Sequence, residues 1–213
     1  HLSLDDVYLT HAERQVLVRT VHPLFATRGP PGTHDLALLH RVIAALSAAG
    51  PDDRTPLPVF DKLADDRLPP EAWPVFTGRP VAILLDGWCL GASPQDAAAL
   101  AAPVNALERN RDADGRWRRA VNDRLAGPYR ALFARFDALL FLQAPGLDVV
   151  LDWRCEQEAG LMGLAPAGLP AARRARVAGF IEYFERITRS MIDGGVAADV
   201  VLGLSRARRV VAG

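Results

Sequence analysis

The sequence predicts an α/β fold built on a parallel sheet. Short apolar segments alternate with longer amphipathic ones along the chain, an order typical of βαβ units. The segment 80–85 is almost wholly apolar, as expected for a strand that is covered on both faces. With 213 residues, half of them hydrophobic, the chain is long enough to bury one sizeable core. We therefore predict a single domain over 1–213.

Cap and turn residues mark where the elements of the first half begin and end. A first strand ends near Leu4, and the residues from Thr10 to Glu13 have the pattern of a capping box at the start of a helix. Glycine, proline and apolar periodicity place the elements that follow. These are a stiff turn over 28–33, a helix over 35–48, a short strand over 56–60 and an irregular stretch over 61–78.

The same signals order the second half of the chain. Ser93 followed by Pro94 is a typical helix start, with serine as the cap and proline at the first helical position. The remaining predicted elements are a mostly helical stretch over 103–135, a strand over 138–142, a helix over 145–159, a mobile loop over 160–170, an amphipathic helix over 171–192 and a strand over 198–204.

Composition excludes several classes of partner. The 25 basic and 25 acidic side chains cancel, so no basic excess indicates binding to nucleic acid or to an anionic membrane. No run of about 18 apolar residues is long enough to span a bilayer. Cys89 and Cys155 form neither a metal pair nor a disulfide framework, which fits a reducing compartment. We predict a cytoplasmic protein that acts on a small molecule; no pattern indicates an oligomeric state.

Two predicted strands end on carboxylates. Asp5 and Asp6 follow the first strand, and Asp86 follows the apolar run over 81–85. In open α/β sheets, ligands bind at the carboxyl ends of the strands. A carboxylate there can accept a hydroxyl proton, and aspartate oxygens suit Mg²⁺. The alternative is that these aspartates cap ordinary turns.

A second group of candidates could hold a small anion. Arg28, His34 and Asp35 flank the glycine- and proline-rich turn, and arginine can bind a carboxylate through two parallel hydrogen bonds. Lys62 is the only lysine among 213 residues and could act as a compact point charge. Alternatively, Asp35 caps the following helix, Arg28 is solvated, and the position of the lysine is chance.

Arg154 lies on a helix just before the glycine-rich loop over 160–170. A mobile arginine in such a place can swing over a phosphoryl group that is being transferred. The alternative is a surface helix in which Arg154 pairs with Glu158 one turn away.

Taken together, the motifs resemble D-glycerate 3-kinase of bacteria and plants and its kinase-like relatives, which stand among the P-loop kinases with phosphoribulokinase, uridine kinase and pantothenate kinase. The most specific stretch is Arg-Gly-x-x-Gly-Thr-His-Asp over 28–35. The other matching stretches, in order along nearly the whole chain, are 2–10, 60–62, 65–69, 73–74, 86–91, 103–108, 153–158 and 185–189.

The resemblance implies a P-loop NTPase-like parallel sheet sandwiched by helices, with ATP and Mg²⁺ as cofactors and a small hydroxy acid such as D-glycerate as acceptor. It also implies roles for particular residues. Asp5 resembles the catalytic base, and Arg154 resembles the lid arginine, with Gln157 beside it as a residue that binds the nucleotide. Asp86 and Asp6 fall at positions that bind the metal. The residues similar to those of the acceptor pocket are Arg28, His34, Asp35, Lys62 and Arg67.

The chain departs from that family in two ways. The glycine-rich loop with its Lys-Ser/Thr ending is absent from the 213 residues. We therefore expect the first strand, P-loop and first helix of the fold either to lie before His1 or to be lost. Relatives usually carry glutamate where Asp86 stands. Two hypotheses follow: an active kinase for small hydroxy acids, or a degenerate kinase-like protein that binds a ligand or partner without catalysis.

Overall fold

Helices and short strands make up the computed structural model, which describes residues 1–211, the side chain of residue 166 excepted. Contacts group the residues into two compact units. The first takes residues 1–90 and 119–135, and the second takes 91–118 and the residues from 136 onward. The single domain over 1–213 stays a prediction.

Most of the helices are longer than the strands between them. The helices are α1 His11–Thr20, α2 Leu36–Ala48, α3 Ala106–Arg111, α4 Arg116–Arg124, α5 Arg130–Phe133, α6 Leu147–Leu161 and α7 Ala171–Ile192, with a π-helical stretch over Leu125–Tyr129 and 3-10 turns over Leu4–Val7, Pro23–Ala26, Pro70–Ala72 and Pro166–Gly168. The strands are β1 Leu2–Ser3, β2 Arg54–Pro56, β3 Phe60–Asp61, β4 Asp66–Arg67, β5 Val75–Thr77, β6 Leu85–Asp86, β7 Leu140–Gln143 and β8 Val200–Gly203.

Within residues 1–211 the strands form four two-stranded sheets, two of them parallel. In the first unit β1 runs parallel to β6, with Leu2 opposite Leu85 and Ser3 opposite Asp86. In the second unit β7 runs parallel to β8 over four residues. Two antiparallel pairs, β2 with β5 and β3 with β4, complete the strands of the first unit. The fold is thus mixed α/β with small parallel sheets, which confirms the α/β class that the sequence predicts. The larger parallel sheet sandwiched by helices stays a prediction.

Local caps fix the helices beside the first parallel pair. The Thr10 hydroxyl accepts a hydrogen bond from the Glu13 amide at 3.2 Å, and the Glu13 carboxylate accepts one from the Thr10 amide at 2.7 Å. This confirms the predicted capping box, in which each residue satisfies a free donor of the other. At α2 the Asp35 carboxylate accepts from the Leu38 amide at 2.8 Å. In the second unit α7 spans the predicted residues.

The core of the first unit lies beneath the 3-10 turn that follows β1. Leu4 and Val7 point into it and are 1% exposed, and they share it with residues of α2. Tyr129 and Leu132, from the segment 119–135, are equally buried in the same unit. The turn that carries Asp5 and Asp6 is therefore held by apolar burial rather than by a long strand ladder.

Three sequence predictions of secondary structure were wrong. Of the predicted strand over 80–85 only Leu85 pairs, because β1 offers a ladder of just two residues, and the Val81 and Leu84 side chains are exposed. No helix starts at Ser93: residues 96–101 form turns, and Pro103 prevents their extension. The strand predicted over 56–60 is split into β2 and β3, since Pro58 between them lacks the amide hydrogen that a ladder needs.

Within residues 1–211, none of the helices is both long and apolar enough to cross a membrane.

Candidate functional site

Both acidic strand ends lie at the same edge of the β1–β6 pair. Because β1 and β6 are parallel, their carboxyl ends point the same way, and Asp86 ends β6 opposite Ser3. Asp5 and Asp6 follow Ser3 after one residue, Leu4, in the 3-10 turn, where the Asp5 amide donates to the Ser3 hydroxyl at 3.3 Å. Gly87 allows the chain after β6 to pass close to this turn, because a Cβ atom at residue 87 would lie only 2.8 Å from the Cβ of Leu4.

The Asp5 carboxylate is bound at both oxygens. The Tyr8 hydroxyl donates to Oδ1 at 2.7 Å, and the Lys62 ammonium donates to Oδ2 at 2.8 Å. Burial alone would raise the pKa of Asp5, but the hydrogen bonds from Lys62 and Tyr8, with the charge of Lys62, lower it below its ordinary value. Asp5 is thus held as a carboxylate, the form that can accept a proton.

The carboxylate of Asp6 lies close enough to Asp5 and to Asp86 for its charge to interact with each of them. Burial raises the pKa of Asp6; the Phe60 amide, which donates to its Oδ1 at 3.5 Å, opposes the rise, and the negative charges of Asp5 and Asp86 add to it. The Asp86 side chain is 61% exposed and lies 3.6 Å from the His1 imidazole. A cation would relieve this repulsion, and Mg²⁺ takes one or two carboxylates while keeping its other ligands as water. Asp6 and Asp86 offer carboxylate oxygens of the kind that such an ion binds.

Lys62 reaches Asp5 from the tip of the β3–β4 hairpin, residues 62–65, which is firmly anchored. The Asp61 carboxylate accepts from the amides of Leu63 and Ala64 at 2.8 and 3.1 Å. At the other end Asp65 has a φ of 55°, a backbone conformation that aspartate tolerates better than most residues. Its carboxylate pairs with Arg14, at 2.5 Å, and with Arg28.

The arginines predicted for the acceptor pocket already have carboxylate partners. Arg28 pairs with Asp65, and its guanidinium lies 5.4 Å from the centre of the Phe60 ring. Arg67 donates to Asp35 at 3.2 Å and its side chain is 14% exposed. The Lys62 side chain, by contrast, is 58% exposed. Of the predicted acceptor-pocket cations, Lys62 is the one most open to a ligand.

His34 and Asp35 lie in the core and at a helix start. The His34 ring stacks on Tyr8 at 4.6 Å, and its Nδ1 lies 2.5 Å from the Tyr129 hydroxyl. Burial lowers the pKa of His34 to about 3, so the imidazole is neutral at pH 7. Asp35 caps α2, the alternative that the sequence left open, and also binds Arg67. Backbone hydrogen bonds also join the end of the 28–35 turn to residues 7–9, at the end of the turn that carries Asp5 and Asp6.

Arg154 and Gln157 belong to the second unit, on α6. The Arg154 guanidinium donates to the Gln157 side-chain oxygen. The alternative pairing of Arg154 with Glu158 is wrong, because Glu158 contacts Arg173 Nε at 2.8 Å instead. A surface pocket of about 520 Å³ lies here, with five lining residues: Trp153, Arg154, Glu156, Gln157 and Arg208.

The sequence reasoning missed four residues that shape the site. Tyr8 binds the Asp5 carboxylate and Tyr129 binds His34; Arg14, fully buried, and Asp65 hold the hairpin. Arg14 gave no signal, since its charge on an amphipathic helix is ordinary. Asp65 stood within a stretch matching the resemblance, which was the available clue. The contacts of Tyr129 join residues 95 and 97 positions apart, beyond any local pattern.

Comparison with known proteins shows similarity to kinases. The chain is 31% identical over 175 residues to an uncharacterized kinase, mug58, of Schizosaccharomyces pombe, covering 78% of this chain and 61% of the relative. It is 34% identical over 108 residues to a probable ATP-dependent kinase, TDA10, of Saccharomyces cerevisiae, covering 44% of this chain and 35% of the relative. The solved D-glycerate 3-kinase of Cryptococcus neoformans superposes with a TM-score of 0.75 at 24% identity, over 99% of this chain and 77% of that chain.

These similarities confirm the resemblance noted in the sequence: the sequence matches proteins named as kinases, and the fold matches a D-glycerate 3-kinase. No protein-family model matches the chain. The chain spans 61% of the length of the first curated relative and 35% of the second.

Proposed function

We propose that the protein is an ATP-dependent kinase that phosphorylates a hydroxyl group of a small hydroxy acid such as D-glycerate. The observation that carries the proposal is the ionised Asp5 carboxylate at a parallel strand end, with Lys62 on one of its oxygens and the carboxylates of Asp6 and Asp86 at the same edge of the strand pair. The names of the two sequence relatives support a kinase and the use of ATP. The D-glycerate 3-kinase with the matching fold supports the class of acceptor.

In the proposed reaction Asp5 accepts the proton of the acceptor hydroxyl. The alcohol oxygen forms a new bond to the γ-phosphorus of ATP, while the bond from that phosphorus to the β-phosphate oxygen breaks and ADP leaves with its electron pair. Lys62 binds the acceptor's carboxylate, and Arg28, Arg67, His34 and Asp35 shape the pocket around it. Arg154, with Gln157, offsets the charge on the transferred group.

Asp86 and Asp6 are the residues we propose to hold Mg²⁺. When bound, the ion neutralises phosphate charge and orients the phosphates for in-line transfer. Asp86 is the better candidate for direct or water-mediated contact, because it is exposed at the strand end, whereas Asp6 is partly buried. We also propose that the sheet is of the P-loop NTPase type. The phosphate-binding loop of that fold is absent from residues 1–213.

The test is ADP release by the protein of the complete reading frame, with ATP, Mg²⁺ and a panel of small hydroxy acids that includes D-glycerate. Asp5→Asn should lower kcat by about 10²–10⁴-fold, the usual contribution of a general base. The matched control is Asp52→Asn, an exposed turn residue that should keep the rate.

Two outcomes would count against this assignment. A rate within about tenfold of the wild type for Asp5→Asn would show that Asp5 is not the base. Binding of D-glycerate in calorimetry without any ADP release would instead indicate the non-catalytic, kinase-like protein.

A further inference from the structure

The Lys62–Asp5 pair covers the oxygen that the proposed reaction needs. Oδ1 of Asp5 is taken by the Tyr8 hydroxyl at 2.7 Å, and Oδ2 by the Lys62 ammonium at 2.8 Å. An alcohol that is to give its proton to Asp5 has to approach one of these oxygens within hydrogen-bond distance. Tyr8 is 6% exposed and stacked on His34, so it is not readily displaced. Access to the carboxylate therefore depends on Lys62.

Lys62 is built to move while its backbone stays in place. The hairpin tip is fixed by the Asp61 carboxylate on one side and by Asp65, with Arg14 and Arg28, on the other. The lysine side chain itself is 58% exposed and ends a flexible four-carbon stem. Ion pairs as exposed as this one are weak and are readily exchanged for another anion.

An anionic acceptor offers Lys62 a replacement partner, whereas a neutral alcohol does not. The other cations predicted for the pocket are already engaged, Arg28 by Asp65 and Arg67 by Asp35. A carboxylate that enters the site thus meets Lys62 as the accessible cation among them. Once Lys62 turns to the ligand, Oδ2 of Asp5 becomes free for the ligand's own hydroxyl.

We propose that the acceptor's anionic group unmasks Asp5 by drawing Lys62 away from it, which makes Lys62 the residue that selects hydroxy acids over neutral alcohols at the catalytic step. The inference rests on the proposed kinase function and specifies its acceptor class. In the unmasked state the hydroxyl proton moves to Oδ2 of Asp5 as the oxygen bonds to the γ-phosphorus and ADP leaves. With a neutral alcohol Lys62 stays on Oδ2, and the same transfer lacks its base.

The kinetic test compares D-glycerate with glycerol, which has the same chain length but no charge. In the wild type, kcat at saturation should be at least about 100-fold higher for D-glycerate, the lower range of general-base catalysis. Lys62→Met should reduce this ratio of kcat values at least about tenfold, because the base is then open to both alcohols. Lys62→Arg, which keeps a cation, should retain more of the selectivity, and the exposed control Arg41→Met should keep all of it.

A second measurement follows Lys62 without turnover. Reductive methylation with ¹³C-formaldehyde labels lysine, and Lys62 is the only lysine within 1–213, so its signal can be assigned by its loss in Lys62→Arg. D-glycerate alone should shift this signal away from its position in the free protein, where Asp5 is its partner. Asp5→Asn should shift the free-protein signal as well, and glycerol should leave it unmoved.

The outcomes separate this inference from the function on which it rests. If neither alcohol nor any acid is phosphorylated by the complete protein, the kinase proposal fails and the inference fails with it. If the acids are phosphorylated but Lys62→Met lowers both kcat values by the same factor, the kinase stands and the unmasking role is overturned. A Lys62 signal that glycerol and D-glycerate move equally would overturn it too.

Discussion

The imidazole of His34 lies in the core of the first unit between two tyrosines, stacked on Tyr8 and bonded to Tyr129. Burial lowers its pKa from the ordinary 6.5 to about 3, although the negative charge of Asp5 opposes the shift. Since the unfolded chain binds a proton at higher pH than the folded one, this group's contribution to stability is full above pH 6.5. It is lost as the pH falls from 6.5 toward 3.

This predicts a specific acid sensitivity. Between pH 7 and pH 5, protonation of His34 in the unfolded chain should lower the free energy of unfolding by about 2 kcal/mol. His34→Asn should be less stable at pH 7 but should lack this part of the pH dependence. Urea unfolding of both proteins at the two pH values measures the difference. Equal losses in the two would show that His34 is not the group responsible.

At the same scale, the sequence placed the candidate acidic residues at strand ends but did not reveal their partners. Asp5 and Asp86 follow apolar segments, and the parallel β1–β6 pair puts both at the same edge. The sequence did not predict the pairing of Lys62 with Asp5, because the two residues are 57 positions apart and the pair depends on how the hairpin folds back. Asp65, which fixes that hairpin, belongs to a turn whose conformation no periodicity reveals.

Among the elements, α3 and α7 of the second unit are joined by a buried ion pair. Arg186 donates to both oxygens of Glu108, at 2.7 and 2.6 Å, and Glu108 is fully buried. The same guanidinium donates to the carbonyls of Ala99 and Ala102 at 2.8 and 2.7 Å, so the turns before α3 are held as well. Such a pair is compatible with a stable fold only while both partners are present, because either one alone would be a buried charge without compensation.

Removing one charge of this pair should therefore be costly. Glu108→Gln should lower the free energy of unfolding by about 3 kcal/mol, the lower range for breaking a buried pair. Urea unfolding followed by circular dichroism measures it. The matched control is Asp152→Asn, whose carboxylate is half-exposed beside Arg174 and should change stability far less. Similar losses in the two variants would show that burial does not set the strength of these pairs.

Elements with strong local signals were predicted well, and those that depend on a neighbour were not. The 22 residues of α7 carry apolar periodicity over six turns and begin after a proline, so both ends were found. The apolar run over 80–85 gave an equally clear pattern, yet only its last residue pairs, as Leu85 does with Leu2. A strand exists only where a second strand offers its backbone, and sequence alone does not say how long that partner is.

For the whole molecule, the two units interleave in the chain, since the first unit takes back residues 119–135 after the chain has left it at residue 90. Tyr129 in this returning segment is 1% exposed, and its hydroxyl accepts from the Gly32 amide at 3.0 Å and contacts His34. Stability in a folded protein is shared within such cooperative groups rather than among sequence neighbours. A change that destabilises residues 119–135 should therefore also destabilise the 28–35 turn.

Tyr129→Phe tests this grouping, because it removes one oxygen and leaves the Gly32 amide and the His34 nitrogen without that partner. An unsatisfied buried donor costs about 1–3 kcal/mol, so amide hydrogen exchange in peptides covering 28–35 should rise about tenfold. Peptides covering α3, closer in sequence to Tyr129, should exchange as before. Tyr183→Phe is the control, since the hydrogen bond seen for the Tyr183 hydroxyl comes from the exposed Arg111. Faster exchange in α3 than in 28–35 would contradict the division of the chain into these two units.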